Sequence, residues 1–204
     1  MAKLVAPLFS FGASGKLGNA LVFFPWKGLD VVRSYVVPTN PNTAGQIVQR
    51  GYMADAVDDI HYAQTDPTGE MVAADIAAYR ALAALRPTPR TWFNELVKQA
   101  IDQWVAGDDF AIGREGGTTP GVDELAVTIL FAAQTGPGIT AGDFWYGLTP
   151  TAMINSEAAA VAAQVCTATI AALVTGTKYY WQFRPTAPAG QVNSRSGIYY
   201  GVAG

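Results

Sequence analysis

The sequence holds little of what metal and acid–base chemistry require. Its 204 residues include one histidine, His61, and one cysteine, Cys166. With a single imidazole, most histidine-based zinc sites and catalytic triads are excluded or crippled. With a single thiol there is no internal disulfide, so the fold must stand on packing alone. Cys166 alternates in phase with Ala168 and Ile170, which predicts a small buried core residue rather than a reactive thiol. Charge is scarce too: 14% of residues are Asp, Glu, Lys or Arg, and the formal net charge is -3. That balance weighs against a general nucleic-acid binder, which presents a net basic face. No apolar run reaches the roughly 18 residues of a transmembrane helix, so no membrane span is expected. Leu4 to Phe11 is apolar but short, broken by Pro7 and preceded only by Lys3, a poor match to a secretory signal. What the chain does have is apolar material: half of its residues are hydrophobic. This is enough for a packed core and argues against wholesale disorder.

Three constellations invite a chemical reading, and none completes one. Gly12-Ala13-Ser14-Gly15-Lys16-Leu17-Gly18 suggests a phosphate loop. That loop needs G-x-x-x-x-G-K followed by a hydroxyl residue to reach magnesium, and Leu17 stands there instead. Asp55, Asp58 and Asp59 recur at helical spacing, with Asp66, Glu70 and Asp75 beyond, but without calcium-loop spacing they read as a solvated acidic face. No pair of carboxylates stands out for glycoside hydrolysis. The sequence therefore assigns no catalytic, cofactor-binding or metal-ligating residue, and a non-enzymatic protein is expected.

Periodicity divides the chain. Residues 1–42 read as an extended, Gly-rich arm with two β-prone runs, Ala20 to Trp26 and Leu29 to Val37, joined by a Lys27-Gly28 turn. Residues 43–106 read as a helical unit. Its first helix is capped by Thr43 with Gln46 three residues on, and runs toward Ala63. A second restarts at Asp66-Pro67. Pro87-Thr88-Pro89 ends it and begins a third, whose Trp92, Phe93, Leu96, Val97, Ala100, Ile101 and Trp104 form one apolar stripe. Residues 107–121, with Gly113, Gly116, Gly117 and Pro120, have the composition of a linker. Residues 122–204 then show short two-residue periodicities: Glu124 to Ala133, Asp143 to Leu148, Gln164 to Ala172, Lys178 to Pro185 and Gly197 to Val202. Gly136-Pro137-Gly138 and Pro188-Ala189-Gly190 are turn signals between them. The expectation is a multidomain α+β protein: a β-hairpin arm, a helical unit and an all-β antiparallel sandwich. In that sandwich Tyr179, Trp181 and Phe183 should face inward, with Tyr180 and Gln182 more exposed.

The stretch Leu173-Val174-Thr175-Gly176-Thr177-Lys178-Tyr179 resembles the fibronectin type III fold, where L-x-x-G-T-x-Y marks the corner between two sheets. The resemblance implies that the Tyr179 hydroxyl is anchored to nearby backbone. It also implies a module that binds or spaces. Val192-Asn193-Ser194-Arg195-Ser196 precedes the last strand, and Asn193, Ser194 and Arg195 form the best ligand loop for a host surface or glycan.

A second likeness lies at the other end. Ser14-Gly15-Lys16-Leu17-Gly18 leads through Phe23-Phe24-Pro25-Trp26-Lys27-Gly28 and Val31-Val32-Arg33-Ser34-Tyr35 to Asn40-Pro41-Asn42-Thr43. This is similar to the N-terminal region of uncharacterised structural proteins of tailed bacteriophages. The resemblance implies a virion location and a capsid decoration, cement, minor tail or connector role. The expected partners are other virion subunits and copies of the chain itself. Lys3, Lys16, Lys27, Arg33 and Arg50 face Asp30 alone in the first fifty residues. A basic arm beside acidic helices suits head-to-tail contact between copies, or pairing within one chain. On the arm, Phe24, Trp26 and Tyr35 are the expected apolar anchors, and Lys16, Lys27 and Arg33 the orienting charges. The reading set against this one is host-surface or glycan binding by the sandwich.

Overall fold

The structure is a computed structural model that describes residues 2–4, 14–37, 39–40, 42–66, 70–131 and 138–204. The chain splits into two compact units, Met1–Thr43 and Ala44–Gly204. Among the described residues the mixed α+β content falls into three α-helices and three antiparallel sheets.

In the first unit, the expected hairpin forms between β3 (Leu21–Trp26) and β4 (Leu29–Ser34). Its turn is Lys27-Gly28, with φ of 49° and 77°. Two consecutive left-handed residues give the twist that a two-residue hairpin loop needs. Its two edges are covered in part, over Asp30–Val32 on one side and Leu21–Phe23 on the other. The short strands β1 (Ala2–Leu4) and β2 (Gly15–Leu17) flank it in the order β1-β4-β3-β2. Gly15 to Leu17, weighed above as part of a phosphate loop, is thus strand; Gly12 and Ala13 lie outside the described residues.

The second unit begins with α1 (Ala44–Thr65), α2 (Ala73–Ala84) and α3 (Trp92–Ala106), with α1 and α2 both packed on α3. The apolar stripe of α3 is the seam: Leu96, Val97 and Ala100 are buried, and Trp92, Phe93, Ile101 and Trp104 pack against the same core. Thr91 caps this helix by accepting from the Asn94 amide at 3.2 Å, and Gly107 closes it at φ 84°. The start expected for α2 is corrected. Asp66 is not its cap but a buried carboxylate 3.0 Å from the Arg114 guanidinium. The helix begins later, where Asp75 in its first turn accepts from the Val72 amide at 2.9 Å. Pro67 lies outside the described residues.

Eight strands follow: β5 (Gly113–Gly121), β6 (Glu124–Phe131), β7 (Ala141–Gly147), β8 (Asn155–Ala158), β9 (Ala160–Ala162), β10 (Val165–Ile170), β11 (Lys178–Ala187) and β12 (Tyr199–Val202). They form two sheets, β5-β6-β10-β9 and β12-β11-β7-β8. One core draws on both: Leu125, Val127, Ile129 and Cys166 from the first, Phe144, Trp181 and Phe183 from the second. The Phe131 and Phe183 rings, one from each sheet, lie 5.5 Å apart. The Gly136-Pro137 part of the expected turn after β6 falls outside the described residues.

The linker expected at 107–121 is corrected outright. Residues 113–121 are β5, hydrogen-bonded along β6, and belong to the same compact unit as the helices. The glycines mimic a linker because they serve close packing. The register shifts between Glu115 and Gly117. A Cβ on Gly116 would meet Thr128 at 2.7 Å, and Gly117 sits at φ 150°. Such positions suit a β-bulge and exclude larger residues. Pro120, which cannot donate to a ladder, stands on this edge strand. Limited proteolysis is accordingly expected to leave residues 44–204 as one protected fragment. A separable C-terminal fragment starting within 107–121 would show that the helices and sheets fold apart.

The expected alternation on β11 is half right. Trp181 and Phe183 are buried and Tyr179 packs against the same core, but Gln182 is buried as well and Tyr180 is half-buried. The second face of this sheet is covered too. Tyr180 and Trp145 pack into the helical core with Leu96 and Ile198. Gln182 donates to the Ser196 carbonyl at 2.9 Å, and its own carbonyl accepts from Arg184 at 3.0 Å. A buried amide is tolerable when hydrogen-bonded in this way.

Candidate functional site

The arm residues expected to meet partners converge. Lys16 pairs with Val22 across β2 and β3, and Val22 pairs with Arg33 across β3 and β4. Two-residue alternation then puts Phe24 and Trp26 on that same face. The Lys16 ammonium lies 3.9 Å from the Tyr35 ring centroid, and the Arg33 guanidinium 5.5 Å from that of Phe24. Trp26 is 55% exposed, as is Leu29 at 46%. Five of the six residues therefore form one aromatic and cationic face. Lys27 occupies the turn instead, exposed at the hairpin tip.

The proposed ligand loop does not survive whole. Ser194 is fully buried and serves the fold. Its hydroxyl accepts from the Ala111 amide at 3.0 Å. With the Gln103 amide oriented to satisfy its neighbours, Ser194 donates to the Gln103 carbonyl at 2.8 Å while the Gln103 nitrogen donates to the Asp109 carbonyl at 3.0 Å. Asn193 and Arg195 stay exposed and rim a polar cleft of about 350 Å³ shared with Arg86 and Gln99. Arg86 is already engaged, because it and Arg90 converge on the buried Glu95.

Asp55, Asp58 and Asp59 line another recess with Tyr52 and Trp104. Burial raises the Asp59 carboxyl above its ordinary range, and repulsion from Asp55 and Asp58 adds to the effect. Among the described residues, no group of three or more His, Cys, Asp and Glu is placed to hold a metal ion, and no helix is long and apolar enough to cross a membrane. His61 is exposed on α1, its ring 6.2 Å from Phe93. Cys166 is buried, and burial pushes its thiol up to about 12, far from thiolate reactivity.

No family model matches the chain, and no curated protein or solved structure does so either. Function must therefore be argued from these surfaces alone.

The backbone anchor expected for Tyr179 is present. The Tyr179 hydroxyl accepts from the Val174 amide, five residues back, at 3.1 Å. Tyr179→Phe is expected to cost about 1 kcal/mol in urea denaturation, the usual worth of one hydrogen bond. No change would show that the contact is incidental.

One further concavity carries no sequence signature. It is a cleft of about 640 Å³ in the second unit, between α2 and the two strands β5 and β12. Alanines of α2 form one wall, while Glu115, Thr118, Lys178, Tyr180 and Tyr200 supply the polar and aromatic groups. These residues come from four elements, α2, β5, β11 and β12, so no local motif announced them. Asp75, read from the sequence as part of a solvated face, is fully buried and hydrogen-bonded to two of the lining residues, Glu115 and Tyr199.

Proposed function

We propose that this protein is a non-enzymatic structural component of a tailed-bacteriophage particle, held in place by its N-terminal sheet. The observation that carries the reading is the gathering of Lys16, Phe24, Trp26, Arg33 and Tyr35 on one face. Aromatic and cationic groups dominate the energetics and orientation of protein interfaces. Leaving such a face in water is a liability that a permanent partner removes. We favour docking by this face over docking by strand addition, because the strands that flank the hairpin have only three residues each.

We read the two sheets of the second unit as a fibronectin type III-like sandwich. Support comes from the β5-β6 hairpin, the passage to the other sheet at β7, the return at β9 and the tyrosine anchor at Val174. In this reading the sandwich projects from the particle while the arm docks.

Deleting residues 1–42 tests the assignment. The truncated chain is expected to fold, because residues 44–204 are a compact unit of their own. It should be missing from purified particles when these are assayed by quantitative mass spectrometry. Incorporation at normal copy number would refute the role given to the arm.

A further inference from the structure

We propose that the cleft between α2 and the strands β5 and β12 is a saccharide-binding site, with Tyr200 as its stacking platform. This goes beyond the docking role of the arm. It also relocates the ligand site expected at residues 193–195, since Ser194 is locked in the core.

The cleft, at about 640 Å³, falls within the range of small-ligand sites, roughly 300–1,000 Å³. Its composition decides the ligand class. Tyr200 lines the cleft and is 61% exposed. Its ring centroid lies 6.2 Å from that of Tyr180 at an interplanar angle of 56°. The Lys178 ammonium sits 3.6 Å from the Tyr200 centroid and 4.8 Å from the Tyr180 centroid, so one cation fixes both rings. On β5 Glu115 accepts from the Thr118 hydroxyl, which places a carboxylate and a hydroxyl together in the lining.

A pyranose ring has one face of C–H groups and a rim of hydroxyls. The C–H face suits an aromatic surface such as Tyr200. The hydroxyls suit a rim that both donates and accepts, here Lys178, Glu115 and the tyrosine hydroxyls. The alternatives fit less well. An acyl chain would leave those polar groups without partners as it desolvated them, which is costly. An extended peptide would need a free strand edge. On β5 the Glu115 amide is already donated to Asp75 at 2.7 Å and Pro120 has no amide hydrogen. The approach to β12 is held in the same way, by the Ile198 amide on the Ala78 carbonyl at 3.1 Å. The alanine wall of α2 leaves room for a ring without adding competing groups.

The test uses the full chain on a printed array of bacterial and host glycans, followed by calorimetry with the best-bound oligosaccharide. Binding is expected, with Tyr200→Ala weakening it about tenfold or more and Tyr200→Phe leaving it within about threefold. Lys178→Met should also weaken it, while Arg195→Ala in the separate polar cleft should not. If Tyr200→Ala proves poorly folded by circular dichroism, Lys178→Met and Thr118→Val carry the same comparison. A silent array overturns the proposal. So does binding that Arg195→Ala abolishes and the cleft variants leave intact. Because the readout is sugar affinity in solution, it is blind to whether the arm docks, and the two readings fail separately.

Discussion

Asp75→Ala is expected to destabilise the second unit by about 3–5 kcal/mol, the range for removing one partner of a buried charged network. This carboxylate joins three elements. One oxygen accepts from the Glu115 amide of β5 at 2.7 Å and from the Tyr199 hydroxyl of β12, also at 2.7 Å. The other accepts from the Val72 amide at the start of α2. Alanine would strand three buried or half-buried donors, and each orphaned group carries its own desolvation cost of about 1–3 kcal/mol. Next to it Tyr79 donates to the Gly113 carbonyl at 2.8 Å. α2 approaches the segment before β12 closely enough that a Cβ on Gly197 would meet that of Ala78 at 2.7 Å. Asp75→Asn, which keeps one acceptor, should lose less than half as much. Urea denaturation of the full chain measures both, and a loss under about 1 kcal/mol for Asp75→Ala would show that the network is dispensable. The same region fixes the alkaline limit. Burial raises the Tyr79 and Tyr199 phenols above their ordinary value of 10.0, and the Asp75 charge raises both further. Their folded-state values exceed the unfolded one, so their contribution is intact below about pH 10 and is lost as pH rises beyond it.

Trp181→Ala is expected to cost a similar amount, about 3–5 kcal/mol, by leaving a cavity in the shared core of the two sheets. Trp181 is fully buried. Its ring stacks on Tyr199 at 4.7 Å and meets Phe144 edge-on at 5.7 Å. The indole Nε1 has no hydrogen-bond partner among the described residues. Trp181→Phe therefore removes an unsatisfied donor along with volume, and should cost only about 1–2 kcal/mol. Equal losses for Ala and Phe in urea denaturation would mean that the indole, not the volume, stabilises the core.

Short-range physics made much of this legible. The Lys27-Gly28 turn, the α3 stripe from Trp92 to Trp104, the burial of Cys166 and the inward set of Trp181 and Phe183 each follow from a local pattern. So does the shared face of Phe24 and Trp26, since alternation along one strand is enough to set it.

The rest was decided by which segments met. Gly116, Gly117 and Pro120 have a linker's composition, and only the pairing of β5 with β6 makes them a bulged edge strand. Gln182 and Tyr180 occupy positions that alternation assigns to solvent, until the helical core covers that face. Asp66 and Asp75 carry the charge of a solvated face, yet Arg114 and the β5 and β12 donors draw both inside. Ser194, in a loop by every local sign, is claimed by Gln103 and Ala111. The cleft below α2 gathers Glu115, Lys178 and Tyr200 from three strands. The sequence by itself determined the periodicities and the turns, because each depends on neighbours within a few residues. Tertiary structure alone decided which polar residues are buried and where a ligand could sit. Burial and concavity depend on contacts between segments up to 124 residues apart, as from Asp75 to Tyr199.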